Sequence, residues 1–120
     1  MSIEDQIRNG IGAHGVWKQH LESAIEGDHV LFSADVIERD DCCDLGQWLY
    51  SDDIPLQVRS SHHYQTVREL HADFHRIAAM VARLSQEDKP QAKSVMEGEF
   101  KSASLKLTTH MMKWIHDING

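Results

Sequence analysis

The stretch VRELHADFHRIAAMVARL, residues 67–84, decides the fold. Its apolar residues recur in alternating steps of three and four, which places them on one face of an α-helix. They are Val67, Leu70, Phe74, Ile77, Val81 and Leu84. This pattern predicts a long amphipathic helix that ends near residues 85–88, before Pro90, because proline is not tolerated in a helix interior.

The same rhythm occurs near both ends of the chain. Apolar residues step by three or four between residues 3 and 25, and Trp17 fills the place where Lys18 interrupts them. This predicts a first helix from about Ile3 to Glu26, which Gly27 ends. The apolar face of a last helix carries Met96, Phe100, Ala103, Leu107, His110, Trp114 and Ile118.

The segment between the first two long helices is less regular. Leu31, Phe32, Val36 and Ile37 fit either a short helix or an extended stretch. Farther along, Asp40 or Asp41 is the predicted N-cap of a short helix that runs to about Tyr50. Asp53 is the predicted N-cap of the helix that follows, with Pro55 in its first turn.

Composition and the number of predicted helices together indicate the fold class. The chain has 120 residues, 41% of them hydrophobic and 26% charged, which predicts one globular domain spanning residues 1–120. Strand signals are almost absent. Three long helices, with a shorter helix between the first and third, predict an all-α, antiparallel four-helix bundle. In this arrangement a short irregular or helical segment carries the cysteines.

Net charge and cysteine content disfavour several classes of binding partner and several cellular locations. The net charge of −7 disfavours binding to nucleic acid or to an anionic membrane surface. No apolar run approaches the ~20 residues of a membrane span, and the N-terminus does not resemble a signal peptide. The two cysteines, Cys42 and Cys43, are adjacent and unsuited to an ordinary disulfide, which predicts a reduced, cytoplasmic chain.

Histidines and a cysteine on separate elements are candidate metal ligands. His71 and His75 lie at i and i+4 on the helix that decides the fold, so both imidazoles can reach one metal ion. Hydrogen-bonded core histidines remain the alternative, and for His14, at an apolar position of the first helix, they are the simpler reading. A cysteine in the first turn of a short helix is expected to have a lowered pKa. Together, His14, Cys43, His71 and His75 suit tetrahedral zinc, whereas magnesium and calcium prefer oxygen ligands.

Three motifs carry a family resemblance. In chain order they are His14-x-x-Trp17, Cys43-x-x-Gly46-x-Trp48-Leu49 and His71-x-x-x-His75. As a set, over about residues 7–114, they resemble the chemoreceptor zinc-binding (CZB) domain of bacterial chemoreceptors and diguanylate cyclases. The resemblance implies a helical bundle with one zinc held by His14, Cys43, His71 and His75. Cys43, rather than Cys42, has the family's spacing to Gly46.

The resemblance implies a zinc-binding sensory or regulatory module without catalytic activity. It would respond to zinc level or cysteine oxidation and signal by helix rearrangement. The expected partner is a signalling protein of the chemoreceptor or diguanylate cyclase type, or a second copy of this chain, because no output domain is recognisable in the sequence. The alternative is a hemerythrin-like di-iron oxygen-binding bundle, although no His-x-x-x-Glu pair supplies its bridging carboxylates. A hydrolytic zinc enzyme is disfavoured because four protein ligands leave no open position.

The remaining histidines are not predicted to bind the metal directly. Five of them are predicted to be solvated, namely His20, His29, His62, His63 and His116. His110 falls on the apolar rhythm of the last helix, which predicts either a partner of the metal ligands or, preferably, a hydrogen-bonded core residue.

Overall fold

The computed structural model describes residues 2–27, 33–41, 43–52 and 54–119. Every regular element within these ranges is helical, which confirms the predicted all-α class. None of the described helices is long and apolar enough to cross a bilayer. In chain order the elements are α1 (Ile3–Gly27), α2 (Ala34–Glu38), α3 (Asp44–Leu49), α4 (Leu56–Arg59), α5 (His62–Glu87), α6 (Lys89–Val95), a π-helical turn (Met96–Phe100) and α7 (Lys101–Asn119).

The third long helix is continuous from α6 through the π-helical turn to α7, and it folds back along α5. Tyr64 near the start of α5 contacts Trp114 near the end of α7, with ring centroids 6.3 Å apart. Phe74 in mid-α5 contacts Phe100, at 5.1 Å. Residue numbers rise on one helix as they fall on the other, so the two helices are antiparallel.

α1 runs in the same direction as α5. His14 in the middle of α1 contacts His71 in the middle of α5. At the far end, Lys89 donates a hydrogen bond to the Ile25 carbonyl at 2.7 Å. The chain must therefore return along the bundle between α1 and α5.

The short helices α2, α3 and α4, hereafter the short-helix segment, make this return. Arg83 near the end of α5 contacts Asp35 on α2, whereas Tyr64 near the start of α5 donates to the Leu49 carbonyl of α3. The segment thus runs antiparallel to α5. The structure places three short helices where a single shorter helix was predicted between the first and third.

Two predictions about this segment need correction. The N-cap of α3 is Cys43, not Asp40 or Asp41, because its Sγ accepts the Gly46 N–H. Pro55 precedes α4 as its N-cap and does not lie in its first turn. Of the two alternatives given for Val36 and Ile37, the structure has the short helix, α2. Leu31, Phe32 and the predicted cap Asp53 lie outside the described residues.

His110 is not a core residue. Met111 is fully buried in its place, whereas His110 is partly exposed. A helical stripe can follow a buried Leu107 by a step of three or of four. The structure has the step of four, which buries Met111. The Met111 side chain packs against Gly10 of α1, where an added Cβ would lie 3.2 Å from the Met111 methyl group. Ile118, also predicted on the apolar face, is 43% exposed.

Gly46 is required for the close approach of two stretches of backbone. A Cβ at this position would overlap the carbonyl oxygen of Asp40. The missing side chain allows the 33–41 stretch to pack directly on α3 and positions Cys43 at the start of that helix. Gly10 is also packed, but against the side chains of Leu45 and Met111 rather than a backbone.

Candidate metal centre

α5 supplies two buried histidines. His71 and His75 lie one turn apart and are 0% and 1% exposed. Their ring centroids are 4.6 Å apart. Because Leu70 and Phe74 belong to the same apolar seam, the helix that buries them also turns both imidazoles inward, as predicted.

α1 brings a third histidine to the same place. The His14 ring lies 4.8 Å from that of His71 and 5.5 Å from that of His75, centroid to centroid. Its Nε2 atom is buried and has no hydrogen-bond partner within the described part of the chain. A buried polar atom without a partner costs about 1–3 kcal/mol, so binding a metal ion at this nitrogen would remove an unfavourable contribution to stability.

Cys43 closes the cluster from the short-helix segment. Its Sγ lies 3.2 Å from His71 Nε2 and 3.4 Å from His75 Nε2. One potential ligand atom from each of His14, Cys43, His71 and His75 lies within 4.8 Å of all the others. The structure thus brings together the four residues singled out in the sequence. Cys42 lies outside the described residues.

The geometry of the cluster fits a tetrahedral zinc ion. Zn–S bonds of about 2.3 Å and Zn–N bonds of about 2.0–2.1 Å give a sulfur–nitrogen edge of about 3.6 Å. Both Cys43 distances are within 0.4 Å of that edge. Three imidazoles and one sulfur form a donor set that suits zinc, and the cluster contains no carboxylate.

Burial keeps the three imidazoles neutral. It lowers the pKa of His14 to about 3, with a further contribution from the neighbouring His71 and His75. The pKa of His71 is also lowered to about 3 by burial and by His75. Burial lowers the pKa of His75 as well, although the Ile37 carbonyl and Asp40 oppose the effect. Neutral imidazoles offer the lone pairs that a metal ion requires.

The prediction of a lowered pKa for Cys43 is wrong for the metal-free chain. Burial raises the pKa of the thiol, outweighing hydrogen bonds from the backbone of Gly46 and Leu45. The dipole of a six-residue helix does not offset the desolvation of a sulfur packed among three neutral rings. A divalent cation in the cluster would reverse this balance, since it favours the thiolate.

Backbone carbonyls orient two of the imidazoles, and the sequence offers no signal for either contact. His75 donates from Nδ1 to the Ile37 carbonyl at the end of α2, at 2.7 Å. His14 forms a backbone hydrogen bond with Gly10, one turn earlier in α1. Such contacts fix the orientation of the ring, and the bond at Nδ1 of His75 leaves its Nε2 available for a metal ion.

Aromatic side chains shield the cluster from water. Phe74 packs edge-on against His14 at 4.6 Å, and Phe100 of the π-helical turn packs against Phe74. On the other side the Trp17 ring lies 5.6 Å from that of His75. Cys43 is partly exposed, in contrast to the three buried histidines. Of the four residues in the cluster, Cys43 is therefore the most accessible to solvent.

The other histidines lie elsewhere. The predicted solvation of His63 is wrong, because its side chain is 13% exposed and pairs with Asp117 at the end of α7. His110 interacts electrostatically with Lys113, His63 and His62 rather than with the four residues of the cluster. His62 and His116 are exposed as predicted, whereas His20 is partly buried against Trp17. His29 lies outside the described residues.

Comparison with known proteins agrees with this geometry. The family model of the chemoreceptor zinc-binding domain (CZB) matches residues 14–82, a range that begins at His14 and contains all four residues of the cluster. No curated protein and no solved structure matches the chain. The match covers more than half of the sequence and includes every motif of the predicted resemblance. The chain therefore belongs to the chemoreceptor zinc-binding domain family.

Proposed function

We propose that this chain binds one zinc ion through His14, Cys43, His71 and His75. The observation that carries the proposal is the buried Nε2 of His14, which lacks a hydrogen-bond partner among the described residues and belongs to a ring clustered with two imidazoles and a thiol. Zinc would supply positive charge that holds the sulfur as a thiolate and joins α1, α3 and α5. With four protein ligands, no coordination position is left for a substrate or a reactive water.

The role we propose is sensory or regulatory rather than catalytic. The CZB family is a regulatory family, and the four residues come from three separate elements. Losing one ligand would release the short-helix segment from the long helices, which is a simple mechanical signal. We propose that a cytoplasmic signalling protein of the chemoreceptor or diguanylate cyclase type, or a second copy of this chain, receives it.

Cys43 is the element of the cluster that we propose to respond to oxidants. It is the partly exposed ligand, and imidazoles have no comparable oxidation chemistry. With hypochlorous acid, the thiolate takes up chlorine and releases hydroxide, and water then displaces chloride to leave a sulfenic acid. That product is a weaker donor than the thiolate, so zinc depletion and oxidation would give the same movement.

Metal analysis of the purified protein tests the function. About one zinc per chain supports the proposal. Two irons per chain would instead support the hemerythrin-like alternative, and a chain without a bound metal that takes up neither added zinc nor added iron would refute both.

A second experiment tests the oxidant response. Zinc-loaded protein is treated with one equivalent of hypochlorous acid, and zinc release is followed with a chromogenic chelator. The matched variant is Cys43→Ser, loaded at high zinc concentration. A larger acceleration of release by the oxidant in the parent than in the variant, each relative to its own rate without oxidant, supports the cysteine switch, whereas equal accelerations would leave only a sensor of zinc occupancy.

A further inference from the structure

The three histidines of the cluster differ in the hydrogen-bond partner of the ring nitrogen that would not bind the metal. Nδ1 of His75 is bonded to the Ile37 carbonyl, and His14 has its backbone hydrogen bond with Gly10. Nδ1 of His71 is buried and has no hydrogen-bond partner among the described residues. All three rings are nearly inaccessible to solvent, so the difference lies in their contacts and not in their burial.

These contacts decide which nitrogen carries the proton in the metal-free chain. His14 and His75 keep their proton on Nδ1, where a carbonyl accepts it, and each leaves a lone pair on Nε2. In His71 the nitrogen with a hydrogen-bond partner is Nε2, which lies 3.2 Å from Cys43 Sγ. Its proton therefore belongs on Nε2, which donates to the sulfur. The thiol of Cys43 can donate in turn to Nε2 of His75, at 3.4 Å.

Metal binding has different consequences for the three rings. A ligand nitrogen must present a lone pair, and Nε2 of His14 and of His75 already does. In His71 the proton must leave Nε2 and move to Nδ1, where no described group accepts it. His71 therefore exchanges a satisfied N–H for a buried N–H without an acceptor, which is unfavourable.

We propose that His71 is the weakest histidine ligand of the cluster. It is the only one of the three histidines that changes tautomer on metal binding, and it is the first to dissociate from the metal. The inference rests on the zinc function proposed above. The protons balance as follows: Cys43 loses its thiol proton to solvent, and His71 keeps one proton, which moves from Nε2 to Nδ1. His14 and His75 keep their protons on Nδ1 throughout.

The first test compares His71→Ala with His75→Ala. The two variants remove the same atoms from two buried positions of one helix, and circular dichroism verifies that each still folds. Zinc affinity is measured by competition with a chromogenic chelator. We expect His75→Ala to lose at least about 10-fold more affinity, since the outer hydrogen bond of a histidine ligand typically contributes 10–100-fold. Equal losses, or a larger loss for His71→Ala, would overturn the inference.

The second test uses the wild-type chain and does not depend on the folding of a variant. Long-range ¹H–¹⁵N NMR reports which ring nitrogen of each histidine is protonated. Without metal we expect His71 on Nε2 and both His14 and His75 on Nδ1, and one equivalent of zinc should switch His71 alone. Three identical tautomers before zinc addition would refute the inference. A wild-type chain that binds no zinc would instead refute the proposed function.

Discussion

α5 and the short-helix segment contribute to the same cluster in opposite ways. α5 spans 26 residues, and one helical turn is enough to align His71 with His75. α2, α3 and α4 have five, six and four residues, too few to be stable helices alone. Cys43 is therefore positioned by contacts with the rest of the protein and not by local structure.

The contacts that hold the short-helix segment differ in burial. The Tyr64 hydroxyl bonds the Leu49 carbonyl in the interior, whereas Tyr50 bonds Asp40 at the surface. On the α1 side, Trp48 donates to Gln6 at 2.8 Å. A metal ion shared by α5 and Cys43 would join a locally stable region to one that depends on tertiary contacts. Zinc should consequently affect the short-helix segment more than α5.

Removing zinc from the loaded protein is expected to have the largest effect. A ligand present at a thousand times its dissociation constant stabilises the folded state by about 4 kcal/mol. Chelation should lower the melting temperature. Hydrogen exchange should accelerate first in the peptides that cover residues 34–49, before those of residues 67–84. Simultaneous loss of protection in both regions would contradict the difference between them.

Cys43→Ser should weaken zinc binding by more than about 100-fold, because a direct ligand matters more than an outer hydrogen bond. Cys42→Ser is the matched control. Cys43 Sγ lies 3.2 Å from His71 Nε2 and 3.4 Å from His75 Nε2, so we predict that Cys43 serves the cluster and that the control changes affinity little. Chelator competition measures both variants. Equal losses would show that the ligand is not specific to position 43.

Gly46→Ala should destabilise the protein by about 2–3 kcal/mol, because the new methyl group overlaps the Asp40 carbonyl and backbone must move. Gly12→Ala is the control, since a Cβ at that exposed helical position meets nothing within 4 Å. It should raise stability by up to about 1 kcal/mol. Urea unfolding gives both values. If Gly46→Ala left the stability unchanged, the short-helix segment would accommodate the new methyl group without a free-energy cost.

Acidification should destabilise the metal-free protein through the buried histidines. The pKa values of His14 and His71 are lowered to about 3 in the folded state, against about 6.5 unfolded. Between these values the unfolded chain binds more protons, so the stability present above pH 6.5 is lost as the pH falls toward 3. The slope is about 1.4 kcal/mol per pH unit for each such histidine. Urea titrations at several pH values measure it. His14→Gln should reduce the slope, and exposed His116→Gln should not.

The smallest effect concerns the two tyrosines that hold the short-helix segment. Tyr64→Phe removes a buried hydrogen bond to Leu49 and should cost about 1–2 kcal/mol. Tyr50→Phe removes an exposed bond to Asp40 and should cost less than about 0.5 kcal/mol. Thermal unfolding resolves the difference. Similar values would indicate that burial does not determine which contacts support the Cys43 position.

The parts predicted best from the sequence are those with local causes. The bounds of α1 and the end of α5 follow from apolar periodicity, and the inward direction of His71 and His75 follows from their place beside Leu70 and Phe74. Predictions failed where two local solutions were equally good. A step of three or four after Leu107 selects either His110 or Met111, and only packing on Gly10 distinguishes them.

The sequence by itself determined the all-α class, the long helices and the identity of the four residues in the cluster, because helical periodicity and motif spacing are local properties. Tertiary structure alone decided that Cys43 caps α3, that burial raises its pKa, and that the Ile37 carbonyl orients His75. It also left Nδ1 of His71 without an acceptor among the described residues. Backbone carbonyls carry no sequence signature, and desolvation depends on the atoms that surround a group, so both require the folded chain.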